Sequence, residues 1–538
     1  MRDCNSLKSI VLYFVKEEAS RKKNSIRNVK FLVIYYVLFL LLKFATRTIF
    51  IRFFNEQYLG VQGLFSNILG LLTIVELGVG SAIFFSMHKP TAEKDYEKLK
   101  ALNRIYRNLY FIIIATMLVM GGILMPFLYD IVESPQVDVS LYFVFAIFLL
   151  DITITYSGAR YKGLLAATQR QDIATRILMV KTVLIHVLQI LIIVLLQNFL
   201  IFLVVLPILS AIEVIILHIV VHRRFPWLKG KVQNLDPETK KEIKRNIFAF
   251  SFHAAGHRVS YSIIGILVIG VLGATGLAIL GLYANYLLII ASISMMIGIL
   301  PNALGGSVGN LIATKDTETV HTIFRKLNFA FFWIVGFCAI AILCLSQDFI
   351  TLWIGSNWLL PTSTLILIAV LFFTEAAGNM IYQFKNGSGN MHQDKYRILY
   401  ETILHIGLGI LLGYFLGFNG ILIGAIISKI TGPWVTESFV LFKHYFKKSK
   451  IKQYLTILLY TSVVAAAAVA TWFAVYFLPD GIWFFVLRVA ICAVLPNVIF
   501  LIIYSRTKEF KSWLDDAKKI LRRKNDNRQK SIVPDNNG

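Results

Sequence analysis

The chain has 538 residues, of which 57% are apolar, and its mean hydropathy is +0.69. Soluble domains are less apolar and do not collect their apolar residues in runs of about twenty, so the composition predicts an all-α, polytopic integral membrane protein. The formal net charge of +24 is concentrated in polar turns and tails, which argues against nucleic-acid binding and favours orientation in the membrane and contact with anionic membrane lipids.

The first 27 residues precede any apolar run long enough to cross a membrane. Their apolar residues recur at roughly helical spacing and are followed by Arg21-Lys22-Lys23. We interpret this stretch as a cytoplasmic amphipathic or basic segment, either a helix on the membrane surface or a partly ordered tail.

About fourteen apolar runs long enough to span a membrane follow this segment. The predicted spans are 29–54, 60–87, 108–131, 139–160, 174–197, 199–221, 246–271, 276–305, 326–346, 359–384, 398–417, 419–442, 453–477 and 481–505. We group them by the loops that separate them. The predicted parts are an N-terminal bundle of about six helices (28–221), a basic cytoplasmic linker (222–245), a similar C-terminal bundle (246–442), an additional helix pair (453–505) and a basic cytoplasmic tail (506–538).

The loops between the spans alternate in charge. Those on one side, including 88–107, 161–173, 222–245 and 306–325, carry the lysines and arginines, whereas the short loops on the other side carry none. This alternation predicts an even number of spans with both termini in the cytoplasm. The short external loops also argue against an enzyme, whose site on the outer face would need a larger loop.

The two predicted bundles contain an internal repeat. Shifting the chain by 221 positions aligns Leu59-Gly60 with Leu280-Gly281, and Lys94-Asp95 with Lys315-Asp316. Both copies begin on the same side of the membrane in the predicted topology, so they are parallel repeats. Repeats of this kind usually enclose a substrate path between them.

Two stretches of the first bundle carry a family resemblance. They are Tyr58-Leu59-Gly60-Val61-Gln62-Gly63-Leu64-Phe65, and Glu76-Leu77-Gly78-Val79-Gly80-Ser81 with Lys89-Pro90 downstream. This pattern resembles the amino-terminal signature of bacterial polysaccharide-biosynthesis flippases, the Wzx-type O-antigen and capsule translocases of the multidrug/oligosaccharidyl-lipid/polysaccharide exporter superfamily. The resemblance implies two bundles that rock about a central cavity open alternately to each side. It also implies an undecaprenyl-pyrophosphate-linked oligosaccharide as cargo and no ATP site.

Cations inside the spans are candidates for the substrate site, because charge in a membrane-length segment is costly and is usually retained for function. Lys43 and Arg47 are one helical turn apart and share a face, and Arg52 lies nearer the outer end. Arg52 has the alternative of reaching to the membrane interface. In the seventh span, His257 and Arg258 are candidates for a second part of the cationic site, with an interfacial cluster as the alternative.

Four intramembrane carboxylates could bind a coupling ion, H⁺ or Na⁺, or balance the cations in static ion pairs. They are Glu76, Asp151, Glu213 and Glu375. Four aromatic or amide side chains could contact sugars, with ordinary bundle packing as the alternative. They are Tyr283, Asn285, Tyr382 and Gln383. The four cysteines show no spacing typical of a metal site, and no cofactor is expected.

Together these features predict a flippase of the bacterial inner membrane that moves a polyprenyl-pyrophosphate-linked repeat unit to the outer leaflet. The surface polysaccharide polymerase machinery is a candidate partner, and internal symmetry favours a working monomer. A lipid II flippase is the first alternative. A multidrug extruder fits less well because cationic drugs favour an acidic cavity, and a polytopic glycan ligase would need a larger external loop.

Overall fold

A computed structural model describes residues 21–76, 78–132, 137–230, 235–390, 393, 396–515 and 518. At some helical positions, chiefly 248–261 and 302–307, it describes the backbone but not the side chains. Every regular element in these ranges is helical, and no strand occurs among the described residues. The predicted all-α fold is therefore confirmed.

Seventeen helices form the framework of the described chain. They are α1 (Arg21–Phe53), α2 (Glu56–Leu72), α3 (Val79–Glu93), α4 (Tyr96–Leu124), α5 (Leu141–Ser157), α6 (Ala159–Ala167), α7 (Gln171–Leu196), α8 (Phe199–Arg224), α9 (Pro237–Leu272), α10 (Ala274–Thr314), α11 (Thr317–Ile354), α12 (Thr362–Ala377), α13 (Asn379–Gly387), α14 (Arg397–Leu416), α15 (Phe418–Lys429), α16 (Lys450–Tyr476) and α17 (Ile482–Tyr504). Helix α15 continues through wider, π-helical turns to Phe446. Among the described residues, 13 helical segments are long and apolar enough to cross a membrane.

These segments match the predicted spans except the second, 60–87, which is matched only in its first part by Glu56–Glu76, and the seventh, 246–271. That span lies in α9, where the apolar stretch of described residues is the shorter Ser262–Leu272. The chain is thus a multi-pass membrane protein.

The second predicted span, 60–87, is wrong as a single helix. Helix α2 ends at Leu72, a 3₁₀ turn covers Thr73–Glu76, and α3 begins at Val79. Gly78 precedes α3 with φ = 83°, a conformation that glycine adopts without steric cost. Apolar content alone predicted continuity here, because hydropathy does not register a backbone turn.

The predicted loops 88–107 and 306–325 are mostly helical. In the first, only the two-residue turn Lys94-Asp95 separates α3 from α4. In the second, only Lys315-Asp316 separates α10 from α11. The Asp95 side chain caps α4 by accepting a 2.9 Å hydrogen bond from the Lys98 amide, and Asp316 caps α11 through the Thr319 amide, also at 2.9 Å. Aspartate is a favourable helix N-cap, and the charged residues that follow are compatible with helix, so polarity here marks helix ends outside the membrane.

The chain divides into two compact units, with the boundary between Ala284 and Asn285 inside α10. In the first unit, α1 packs chiefly against α7, and α9 packs against α2 and α3. In the second unit, α11 packs against α12, α16 and α17. The predicted bundles, separated by the linker 222–245, stay a prediction.

Two glycines of the internal repeat form a close helix crossing within the first unit. A Cβ atom on Gly60 would lie 2.1 Å from the Leu277 carbonyl oxygen, and one on Gly281 would lie 1.9 Å from that of Glu56. Leu277 stands 221 positions after Glu56, and Gly281 stands 221 positions after Gly60. The two contacts are therefore reciprocal between the repeat copies. The crossing of α2 with the start of α10 therefore uses equivalent residues of both repeat copies, and only glycine allows so close an approach.

Helix α17 and the segment that follows it are fixed along α11 by three polar contacts. Arg488 of α17 forms a 2.5 Å ion pair with Asp348 at one end of α11. At the other end, the Trp513 indole donates a 3.1 Å hydrogen bond to the Lys326 carbonyl. Between them, the Trp333 indole donates to the Asn497 side chain at 2.7 Å. Helices α16 and α17 are thus an integral part of this unit.

Candidate functional site

The predicted cationic face lies on α1. Lys43 and Arg47 are half-buried and one turn apart, and the Lys43 ammonium lies 5.4 Å from the centroid of the Phe39 ring. Helix α7 borders the same turn, where the Thr46 hydroxyl and the His186 Nδ1 atom are 2.8 Å apart. An arginine at the centre of a spanning helix costs about 2.5–3.5 kcal/mol on insertion scales, so its position here requires a compensating role.

The other predicted cations are not joined to this face. Arg52 is exposed in the last turn of α1, a position that also suits the alternative of reaching to the membrane interface. His257 and Arg258 belong to the backbone of α9, and their side chains lie outside the described residues. All three remain predictions.

Two of the predicted carboxylates, Asp151 and Glu213, belong to one ion network between α5, α6, α7 and α8. The Glu213 oxygens lie 2.6 Å from the Lys162 ammonium and 2.9 Å from that of Lys181. Lys181 also donates to the Ser210 hydroxyl at 2.8 Å, and Ser210 in turn donates to Asp151. With two cations and two carboxylates, the network is balanced in charge.

Lys162 and Lys181 are functional candidates that the sequence prediction does not include. The sequence predicts a polar loop at Lys162, whereas this residue lies on α6 and contacts the almost fully buried Glu213. Lys181 lies in the predicted span 174–197, and a cation in such a run is itself a signal that could have identified it. The ion pairs of Glu213 agree with the counter-charge alternative, and its role in ion coupling stays a prediction.

Glu76 occupies the break between α2 and α3. Its carboxylate accepts a hydrogen bond from the Tyr110 hydroxyl of α4. A Cβ atom on Gly80 would lie 2.9 Å from the Tyr110 hydroxyl oxygen and 3.3 Å from that of Tyr106, so glycine leaves room for both tyrosines. Non-helical backbone at membrane depth is tolerated where it is buried in protein or lines a cavity.

The second unit holds a related buried network on α13, α14 and α15. Glu437 lies 3.2 Å from both Lys385 and Arg397, and Glu401 lies 2.7 Å from Arg397 and 3.1 Å from Lys429. The pair Lys385–Glu437 follows Lys162–Glu213 by 223 and 224 positions, close to the spacing of the repeat. Each copy therefore has a lysine–glutamate pair whose glutamate contacts a second cation.

The remaining predicted residues are dispersed. Glu375 is half-buried in α12, and it forms no ion pair within the described part of the chain. Tyr283 and Asn285 are 5% and 0% exposed. Tyr382 and Gln383 are half-buried. Their predicted contact with sugars stays a prediction, and the residues open to description contain no cluster of three or more groups that could hold a metal ion.

Solved structures of transporters share this fold. The lipid II flippase MurJ in an inward closed conformation aligns over 89% of this chain and 99% of its own, with 13% identity and a TM-score of 0.61. An inward-facing multidrug resistance MATE family transporter of the MOP superfamily aligns over 76% of this chain and 94% of its own, with 15% identity and a TM-score of 0.55. A MOP superfamily transporter from Pyrococcus furiosus aligns over 80% of this chain and 100% of its own, with 14% identity and a TM-score of 0.55.

No family model matches the sequence, and no curated protein is significantly similar to it. The chain has the fold of MOP superfamily transporters. At these identities the likeness concerns the fold, and the cargo has to be argued from the residues of this chain.

Proposed function

We propose that the chain is a flippase that moves a polyprenyl-pyrophosphate-linked oligosaccharide from the inner to the outer leaflet of the bacterial cytoplasmic membrane. The product would serve the assembly of a surface polysaccharide, such as O-antigen, capsule or exopolysaccharide. The observation that supports this proposal is the half-buried pair Lys43 and Arg47, one turn apart inside a spanning helix of a transporter fold.

A pyrophosphate is a suitable ligand for this pair. It is a compact anion, and the rigid fork of an arginine matches phosphate oxygens in two-point contacts. In the Pyrococcus furiosus transporter, the reverse polarity of the binding pocket suggests a different function for that protein. By the same logic, we take a basic face in this fold to indicate an anionic cargo.

Transport would proceed by alternating access without ATP and without making or breaking a covalent bond. In this mechanism Lys43 and Arg47, with Arg52 and Arg258 as further candidates, hold the head group. Asp151 with Ser210, and Glu76 with Tyr110, are hydroxyl–carboxylate pairs at which H⁺ or Na⁺ could exchange during the cycle. We further propose a monomer with cytoplasmic termini that delivers its product to the polymerase machinery.

A lipid II flippase is the second candidate. It is favoured by the MurJ alignment, which covers 89% of this chain and 99% of that one. Its cargo also carries a polyprenyl pyrophosphate, so the cationic face fits both proposals and does not separate them.

Complementation separates them. The unmodified chain would be expressed in a bacterial strain lacking its O-antigen flippase and in a strain depleted of its lipid II flippase. Restored surface polysaccharide in the first strain, without rescue of the second, supports the proposed cargo. Rescue of the second strain alone would transfer the assignment to lipid II, and rescue of neither at verified expression would contradict both assignments for these cargoes.

A further inference from the structure

His186 of α7 lies against the face of α1 that carries Lys43. The centroid of its ring is 6.3 Å from that of Phe39, and its Nδ1 atom is 2.8 Å from the Thr46 hydroxyl oxygen. Phe39 and Thr46 stand about one turn before and one turn after Lys43, so the imidazole lies beside the turn that carries Lys43. Lys43 also interacts electrostatically with the imidazole.

The half-buried imidazole of His186 has one nitrogen left for a ligand. Its Nδ1 atom is paired with Thr46, whereas its Nε2 atom has no hydrogen-bond partner among the residues that the structure describes. A threonine hydroxyl both donates and accepts hydrogen bonds, so it pairs with Nδ1 whether the imidazole is neutral or protonated. Thr46 therefore holds the ring in place without fixing its charge.

Ionisable groups approach α7 from the helices that pack against it, which are α1, α6 and α8. On α1 they are Lys43, Arg47 and the Tyr35 phenol, which is hydrogen-bonded to a threonine of α7 one turn before His186. The charged groups of α6 and α8 that approach α7 belong to the ion network around Glu213. The members of that network are Asp151, Lys162, Lys181 and Glu213. Lys43 and Arg47 are therefore the cations that an anion at His186 would share.

A pyrophosphate bound at Lys43 and Arg47 would also meet this imidazole. A protonated imidazole donates from both nitrogens, so with Nδ1 bound to Thr46 its Nε2–H is available to a phosphate oxygen. A second positive charge beside Lys43 is unfavourable on its own, and an anion held by both cations removes that cost. Proton uptake and anion binding at this face therefore favour each other.

We propose that His186 is a proton-binding residue of the head-group site and takes up a proton when the pyrophosphate of the cargo binds at Lys43 and Arg47. Because it depends on the head group binding at these two cations, the proton site rests on the proposed function. By reciprocity, acidification tightens binding of the cargo. Histidine suits this role because it is the side chain that ordinarily changes charge between about pH 5 and pH 8.

The test is binding of farnesyl pyrophosphate to the purified full chain, measured by titration calorimetry at about pH 5.5 and about pH 8. Repeating each titration in buffers of different ionisation enthalpy counts the protons taken up on binding. The variants are His186→Gln, which keeps a polar side chain that binds no proton, and Arg47→Ala, which reports whether the probe occupies the head-group site. The matched control is His444→Gln, because His444 is an exposed histidine of the second unit.

We expect the unmodified chain to bind the probe at least about tenfold more tightly than His186→Gln at the lower pH, the effect of one charge-assisted hydrogen bond, and the difference to shrink at the higher pH. Proton uptake should be smaller in His186→Gln, and His444→Gln should match the unmodified chain in both respects. Comparison at equal pH removes the titration of the probe itself, since that titration is common to every variant.

Equal pH dependence and equal proton uptake in His186→Gln and the unmodified chain would overturn the proton site, and weaker binding by Arg47→Ala would then leave the head-group site standing. Binding by the unmodified chain without proton uptake would also overturn the proton site, and that measurement needs no variant. A probe that does not bind, or that binds equally well to Arg47→Ala, would contradict the head-group site and the proton site together.

Discussion

At the scale of single residues, the intramembrane charges fall into two groups. Glu213 lies between two lysines, and Glu437 lies between Lys385 and Arg397, so these carboxylates act inside balanced or basic networks. Lys43 and Arg47 lie one turn apart on α1, and in the same region the Thr46 hydroxyl and the His186 Nδ1 atom are 2.8 Å apart. In the proposed function, these two cations hold the head group of the cargo.

The Glu213 network gives a stability prediction. Glu213→Gln removes one partner of a buried network and leaves Lys162 and Lys181 facing each other, so we expect a loss of about 3 kcal/mol and a lower apparent melting temperature in detergent. The same change at Glu375, which has no ion pair among the described residues, should have a much smaller effect.

A double-variant cycle checks that the loss comes from the ion pair. Lys181→Gln should cost less in the Glu213→Gln background than in the unmodified chain, because its partner is already gone. Additive losses, or equal losses for Glu213→Gln and Glu375→Gln, would show that the network does not stabilise the first unit.

The sequence could identify Asp151 and Glu213 as residues of interest, because a carboxylate in an apolar run is conspicuous. It could not pair them with Lys162 and Lys181, because the pairing depends on how α5, α6, α7 and α8 are rotated against one another. Periodicity within one helix carries no information about that rotation. The ion pair between Arg27 and Asp172 was missed for the same reason, because these two residues come from distant parts of the chain.

At the scale of helices, apolar runs predicted where the chain crosses the membrane but not where helices break or end. The break between the end of α2 at Leu72 and the start of α3 at Val79, and the short Lys94-Asp95 turn, both fall where backbone conformation, rather than polarity, decides the structure. At the reciprocal glycine crossing, by contrast, the sequence did predict a feature of the helix packing. The repeat predicted that Gly60 and Gly281 are equivalent, and the structure gives that equivalence a packing reason.

Alanine substitutions test this crossing with matched positions on one helix. Gly60→Ala places a methyl group 2.1 Å from the Leu277 carbonyl oxygen, so α2 and α10 must separate. We expect a loss of about 1–3 kcal/mol, read as a lower apparent melting temperature. Gly63→Ala is the control, because nothing lies within 4 Å of the added carbon. Equal stability of the two variants would show that the close crossing does not occur in the folded chain.

At the scale of the whole molecule, three structural features recur in both copies of the internal repeat. The capped Lys-Asp turns, the reciprocal glycines and the lysine–glutamate pairs each occur once per copy. A duplicated membrane unit accounts for all three. Parallel copies also require that equivalent turns lie on the same side of the membrane, which connects the repeat to topology.

Cysteine labelling tests the predicted topology. In a background without the native cysteines, Lys94→Cys marks a basic turn and Asp480→Cys marks an acidic one. Both positions are exposed, with the Asp480 side chain 99% exposed. A membrane-impermeant maleimide should label Asp480→Cys in intact cells and Lys94→Cys only after the membrane is opened. The opposite pattern would contradict the predicted topology and invert its orientation.

The most direct measurement compares Arg47 variants in the O-antigen-flippase-deficient strain that the unmodified chain rescues. Arg47→Ala, Arg47→Lys and the control Lys240→Ala, at an exposed lysine of α9, would be expressed at matched levels, and surface polysaccharide would be quantified. We predict that Arg47→Ala lowers the yield of surface polysaccharide at least about tenfold, because it removes a charged hydrogen bond to pyrophosphate. Arg47→Lys should keep part of the yield because the charge remains, and Lys240→Ala should match the unmodified chain. Full rescue by Arg47→Ala would contradict a cationic head-group site on α1.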